Sequence, residues 1–211
     1  MSKKKVGKIA RYRTQRRLGV ELPGLGKGGA LERRPYPPGQ NGNRRRKYSD
    51  FALRLEEKQK VRCNYELREK QLCRFIRDAK RGSGANWVAR LAGLLESRLD
   101  SVVFRLGFAP SIRSARQLIS HGHVLVNGKS INIGSVVLTP GSKVSLKPKA
   151  YENQIYLRAQ QAPRLDLPDF LRLEEEAGLK IGILQAVPGL EHIPFQFDSG
   201  LFTEYYAARK A

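Results

Sequence analysis

Cysteine is nearly missing from this chain. Two among 211 residues are too few for a disulfide scaffold and fit a reducing compartment. Long apolar runs are missing as well: nothing approaches the roughly 18 residues a membrane helix needs. No apolar core follows the basic start, as a secretion signal would require. Acidic side chains are scarce, 19 Asp plus Glu against 40 Lys plus Arg, for a formal net charge of +21 and a pI near 10.4. That excess points to a polyanionic partner, nucleic acid before a membrane surface. What remains is ordinary, with 40% hydrophobic and 28% charged residues, enough for a packed core at this length.

The charge is uneven. Residues 1–50 carry 15 basic and 3 acidic side chains, residues 51–150 carry 19 and 7, and residues 151–211 carry 6 and 9, for nets of +12, +12 and −3. Phosphate-binding surface is therefore expected from the first two stretches, and packing or a protein contact from the last. Residues 1–48 hold Lys3-Lys4-Lys5, Arg16-Arg17, Arg33-Arg34 and Arg44-Arg45-Arg46-Lys47. Gly24, Gly26, Gly28, Gly29, Pro35, Pro37 and Pro38 interrupt them, so long elements are excluded. With few apolar groups, this arm is expected to order only against its ligand.

Ser49-Asp50 starts a helix with a capping side chain and an acid at the positive dipole end. No Gly or Pro follows from Phe51 to Lys80, and Leu72, Phe75, Ile76 and Ala79 line one helical face. Gly82-Ser83-Gly84 stops the run. Trp87, Val88, Leu91, Leu95 and Leu99 read as the core face of a further helix. Leu99, Val102, Val103 and Leu106 mark a short helix ended by Gly107. Ser111 caps another through Ser120, with Ala115, Leu118 and Ile119 inward and Arg113, Arg116 and Gln117 left to face solvent or a ligand. Val124-Leu125-Val126 runs into the hairpin signal Asn127-Gly128, with Ile131 and Ile133 on the return. Val136-Val137-Leu138 and Val144-Ser145-Leu146 flank the turn signal Pro140-Gly141. Two short helices and a β-meander thus make a unit of about 65 residues. A polar helix (Glu152 to Gln161) follows. Glu174-Glu175-Glu176 reads as a solvated helix face, and the apolar tail is expected to pack on the helices of residues 50–96.

Enzymatic patterns are weak. Gly24-Leu25-Gly26-Lys27-Gly28-Gly29 lacks the Ser or Thr of a phosphate loop and has no apolar strand before it. His121-Gly122-His123 has no adjoining ligand cluster and reads as a helix-end turn. Cys63 and Cys73 read as ordinary buried or partly exposed thiols. No nucleophile elbow or acid–base pair of carboxylates appears. Neither a catalytic site, a cofactor nor a metal is expected.

Longer strings then become informative. Tyr36-Pro37-Pro38-Gly39-Gln40-Asn41-Gly42, Ser49-Asp50-Phe51 and Leu55-Glu56-Glu57-Lys58-Gln59-Lys60-Val61-Arg62 resemble the bacterial form of the small-subunit ribosomal protein family S-four. So does the run from Leu95-Glu96-Ser97-Arg98-Leu99-Asp100 through Phe108. Ala115-Arg116-Gln117-Leu118-Ile119-Ser120-His121-Gly122-His123 and on to Lys129 is similar to that family's RNA-binding module. The resemblance runs collinearly from about residue 30. It departs at Asn41, where the family usually has His, and at Phe170, where many members have Trp. The four N-terminal cysteines with which some members hold zinc are absent.

The resemblance implies an α+β protein in three parts: a basic extended N-terminal arm (1–48), a helical domain (49–96) completed by residues 161–211, and an inserted RNA-binding domain (97–160). That domain would be a helix-turn-helix plus a β-meander. It implies a structural constituent of the small ribosomal subunit that binds 16S rRNA, nucleates assembly of the subunit body and affects translational accuracy. Implied partners are small-subunit rRNA, the ribosomal protein S-five with other small-subunit proteins, and mRNA where it enters the subunit, met by Arg44, Arg45, Arg46 and Lys47. RNA contact is further expected from Arg54, Lys58, Lys60 and Arg62 on the first helix, and from Arg98, Arg105, Arg113, Arg116 and Lys129 on the module. The compartment implied is the cytoplasm, with an organellar matrix or stroma also open. Two alternatives stand beside this reading: a free-standing RNA-binding factor, and an RNA-modifying enzyme like the pseudouridine synthases, which carry a similar module.

Overall fold

A computed structural model describes residues 10–44, 47–81, 86–176 and 178–207. The arm is more ordered than its composition predicts. Helix α1 (Arg11–Leu18) and the short α2 (Ala30–Arg33) bracket a 3-10 turn at Pro23–Leu25. Leu18, Leu22 and Leu25 bury themselves with Cys63 in a small core of their own. Gln15 is fully buried and ties the arm internally, its amide donating to the Lys27 carbonyl (2.8 Å) and its oxygen accepting from Leu22 N (3.0 Å). Gly24 is required by the docking: a Cβ there would lie 2.2 Å from the Asn64 carbonyl, while Gly24 N donates to Asn64 Oδ1 at 3.0 Å. The expectation of an arm structured only by its ligand is thus corrected for these residues, because three leucines and one glycine suffice to seat it.

Helix α3 (Asp50–Asn64) begins as expected, with Ser49 Oγ accepting from Ala52 N. It does not continue to Lys80. The chain turns at Glu66, whose φ is +47°. Bonds from Glu66 N to the Cys63 carbonyl (3.2 Å) and from Leu67 N to the Arg62 carbonyl (2.9 Å) close the helix end in the pattern usually built around glycine. Helix α4 (Glu69–Arg81) follows with Leu72, Ile76 and Ala79 inward, then α5 (Trp87–Glu96), capped by Asn86. The paired helices α6 (Leu99–Arg105) and α7 (Ile112–Ser120) come next, the latter capped by Ser111.

One antiparallel sheet has the order β2-β1-β3-β5-β4. Strands β1 (Val124–Val126) and β2 (Lys129–Ser130) form the expected hairpin, with Asn127 and Gly128 both at positive φ. The return strand is shorter than the alternation suggests, and Ile133 is exposed. Residues 134–138 instead give their backbone to the start of α6: Leu99 N to the Val136 carbonyl (2.8 Å), Asp100 N to the Gly134 carbonyl (3.1 Å) and Leu138 N to the Ser97 carbonyl (2.8 Å). After β3 (Lys143–Leu146) and α8 (Gln154–Gln161) the chain forms a second hairpin, β4 (Leu171–Glu176) and β5 (Leu179–Leu184). Strand β5 pairs with β3, Val144 opposite Gly182.

The C-terminal segment therefore divides, whereas the sequence reading placed all of it on the N-terminal helices. Its hairpin enlarges the sheet, and only the following parts return: a 3-10 turn (Leu190–His192) against α5, and α9 (Ser199–Ala207) against α3. Glu174, Glu175 and Glu176 lie on strand β4, not on a helix. At the sheet margin their charge discourages pairing with another chain. The main core is continuous across both halves, from Leu72 and Ile76 through Phe104 and Phe108 to Val144, Leu184 and Phe202. The fold is α+β.

Candidate nucleic-acid interface

The basic residues fall into two sets, those spent on internal ion pairs and those left to solvent. The first set contains several expected RNA contacts. Arg98 is only 3% exposed and donates through Nε and Nη2 to Asp100, itself fully buried, at 2.9 and 2.7 Å. Arg105 is buried against Glu96 at 2.9 Å and also donates to the His192 carbonyl. Tyr65 donates to the other oxygen of Glu96, and its hydroxyl is held well above the ordinary tyrosine range, first by burial and then by the Glu96 charge. Lys58 reaches Glu69 (2.7 Å) with its side chain 6% exposed, and Lys60 pairs with Glu57. These four cations, expected to face RNA, are each engaged in an ion pair within the fold. Drawing out Lys60, Arg98 or Arg105 would leave a buried carboxylate without its partner, which costs about 3–5 kcal/mol.

Three more candidates are divided between the fold and the surface. Arg54 is paired with Glu204 of α9 at 2.7 Å. Arg113 grips Glu66 with two hydrogen bonds (3.2 and 2.7 Å). Arg116 donates to Asp100 (2.6 Å) and to the carbonyls of Glu66 (3.0 Å) and Tyr65 (2.7 Å). Both keep about a third of their side chains exposed, 33% and 31%. Instead of projecting freely, they staple α7 to the turn after α3. Gln117, from the same face, is exposed as expected.

The second set is open. Lys129 stands exposed beside the β1–β2 turn, and Arg44 and Lys47 are exposed at the end of the arm; Arg45 and Arg46 lie outside the described residues. Arg62 is half-buried and its Nε is oriented by Gln59 at 2.8 Å. The arm adds exposed cations that were seen in the sequence only as charge runs or not singled out: Arg13, Arg17, Lys27, Arg33 and Arg34. None of these five has an ion pair among the described residues. Two aromatic rings sit among them, with Lys27 5.3 Å from the centre of Tyr12 and Arg16 5.1 Å from that of Tyr36. Both rings are exposed, so the arm offers cations and stacking faces together. The helical spacing Arg13/Arg17 was the available signal.

Other chemistry finds little support. Among the described residues no group of three His, Cys, Asp or Glu is placed to hold a metal. Cys63 is buried, Cys73 partly so. Burial pushes the Cys63 thiol up, outweighing the opposite pull of Arg62 and Arg17. His192 bonds Asp169 at 2.7 Å and holds that exposed carboxyl below its usual range. No helix among the described residues is long and apolar enough to cross a membrane.

A short helix pair folded on a small antiparallel sheet, set beside a basic helical half, defines an S4-domain protein, and residues 97–144 match the S4 domain model. Residues 8–96 match the model described as ribosomal protein S4/S9 N-terminal domain, so the likeness reaches back well before residue 30. The chain belongs to the ribosomal protein S4 family. It is 60% identical to small ribosomal subunit protein uS4B of Bdellovibrio bacteriovorus over 96% of this chain and 98% of that protein. It is 44% identical to uS4 of Methylobacillus flagellatus (94% and 96% covered) and 46% identical to uS4 of a Nostoc species (93% and 95% covered). Membership of a ribosomal structural family along nearly the whole chain makes this protein a non-enzyme and removes the RNA-modifying alternative.

Proposed function

We propose that this protein is a structural constituent of the small ribosomal subunit that binds small-subunit rRNA, and that it acts by binding without turnover. The observation that carries the reading is the separation of its cations. Lys58, Lys60, Arg98 and Arg105 hold the core, while Arg13, Arg17, Lys27, Arg33, Arg34, Arg44, Lys47 and Lys129 are exposed and have no ion pair among the described residues. Such residues contact phosphates and release counterions, so affinity falls steeply with salt. The A-form major groove is too narrow for side chains, so recognition rests on junction shape, phosphates and 2′-hydroxyls. Arg113 and Arg116 contribute their exposed edges while remaining tied to Glu66 and Asp100.

On this reading the protein joins the subunit body early and nucleates its assembly, contributes to accuracy, touches ribosomal protein S-five, and meets incoming mRNA with Arg44, Arg45, Arg46 and Lys47. Its site of action is the cytoplasmic ribosome. The test is binding of the purified protein to a small-subunit rRNA junction and to a duplex of equal length and charge, over a salt series. A clear preference for the junction is expected, together with retention on subunits through a sucrose gradient at moderate salt. Equal affinity for the two RNAs, or early release from subunits as for a free-standing factor, overturns the proposal.

A further inference from the structure

Between the arm and α3 lies a solvent-open hollow of about 270 Å3 lined by Arg13, Thr14, Arg17, Pro38, Arg62 and Cys63. Arg13 and Arg17 are one helical turn apart on α1, hence on one face. Like charges so placed repel each other, and no carboxylate pairs with either among the described residues. Arg62 enters from α3, its Nε held by Gln59 and its guanidinium also hydrogen-bonded to the Cys63 thiol, which orients the group while leaving part of its donor fork open. Both walls are fixed. Below the hollow the arm is pinned by the Leu18, Leu22, Leu25 and Cys63 cluster and by Gly24 against Asn64. On the rim, Arg16 Nε donates to the Tyr36 carbonyl at 3.0 Å and steadies the loop that brings Pro38.

We infer that this hollow is a built phosphate site, in which Arg13, Arg17 and Arg62 grip one backbone phosphodiester of the bound RNA across the seam between arm and helical domain. The inference rests on the rRNA-binding reading above. Three guanidiniums line one hollow with no ion pair to any of them among the described residues, and the planar fork of arginine matches phosphate oxygens two at a time. The Thr14 hydroxyl adds a neutral donor. The cysteine on the floor supplies no negative charge, since burial keeps its thiol protonated. Because the phosphate touches both α1 and α3, binding also fastens the arm to the core.

The test compares the full-length protein with the double variant Arg13→Gln/Arg17→Gln and with a control that loses the same charge elsewhere, Arg77→Gln/Arg158→Gln. Junction-RNA affinity is measured across a salt series, with unfolding midpoints to verify folding and Arg62→Gln as a second probe should the double variant fold poorly. The double variant is expected to bind about ten- to a hundredfold more weakly, with a log–log salt slope shallower by roughly 0.7–0.9 for each lost contact. The control is expected to change far less. Equal losses in variant and control overturn the site, even where wild-type protein still prefers the junction; loss of that preference in wild type instead overturns the functional reading. Inorganic phosphate, followed through arginine Nε–Hε resonances, separates the two sources of the anion. Shifts of Arg13, Arg17 and Arg62 on adding RNA support the assignment, whereas saturation by free phosphate that RNA cannot displace overturns it.

Discussion

Tyr65 shows how one side chain can hold a seam together. Fully buried, it donates to Glu96, which also accepts from Arg105, and Arg105 in turn reaches the His192 carbonyl. Three stretches of chain, around residues 65, 96–105 and 192, are thereby tied together through Glu96 and Arg105. Because the folded protein raises the Tyr65 pKa above the ordinary 10.0, its folded state holds the phenolic proton more tightly than the unfolded chain does. The associated stability is complete below pH 10 and declines as pH climbs toward the folded value. Replacing Tyr65 with Phe is expected to cost about 1.5–3 kcal/mol near neutrality, as for a hydrogen bond to a charged group. The gap from wild type should then narrow in alkali. Denaturant unfolding at several pH values checks this, and a gap that stays constant from about pH 8 to pH 11 would refute it.

At the scale of elements, the C-terminal hairpin is seated by a single missing methyl group. A Cβ on Gly182 would lie 2.2 Å from a Leu106 methyl carbon, and Leu106 is buried at the end of α6. Gly182→Ala is expected to destabilise by about 1–3 kcal/mol, the usual effect of overpacking, and Leu106→Ala in the same chain should recover part of that loss. Additive losses in the double variant, read by thermal unfolding, would show that the contact does not seat the hairpin. Nothing in the sequence announces this contact, because Ile181-Gly182-Ile183 resembles any interrupted strand. The elements that were legible carry local signals: Ser49 and Ser111 as caps, Gly107 and Gly122 as stops, Asn127-Gly128 as a turn. The break at Glu66 was not legible for the opposite reason. A left-handed glutamate is held there by Arg113, a residue 47 positions away, and no short-range pattern encodes such a partner.

For the whole molecule, charge is the clearest guide to partner class, while the internal pairing of individual cations is not legible in it. A net +21 identifies a polyanion binder, yet whether a given arginine faces RNA or a buried acid depends on tertiary pairing. Arg98 and Arg113 look alike in the chain; one meets Asp100 out of reach of solvent, while the other keeps an exposed edge. The same excess bears on the free protein. Raising sodium chloride from about 0.1 M to 1 M shortens the screening length from roughly 10 to 3 Å. That should relieve repulsion among the exposed arm cations while leaving the buried pairs nearly untouched. The unfolding midpoint is expected to rise by several degrees, and a flat or falling midpoint would count against a strained surface charge.

Helix α9 closes on α3 through, among other contacts, the Arg54–Glu204 bridge, whose partners stand 150 residues apart. During synthesis at roughly 5–20 residues per second, the first of these helices waits about 8–30 s for the second. Over that interval its flank is bare of Phe202, Tyr205 and Tyr206. The nascent protein thus passes through a stage with one half unsealed, and its sealing is timed by the emergence of α9.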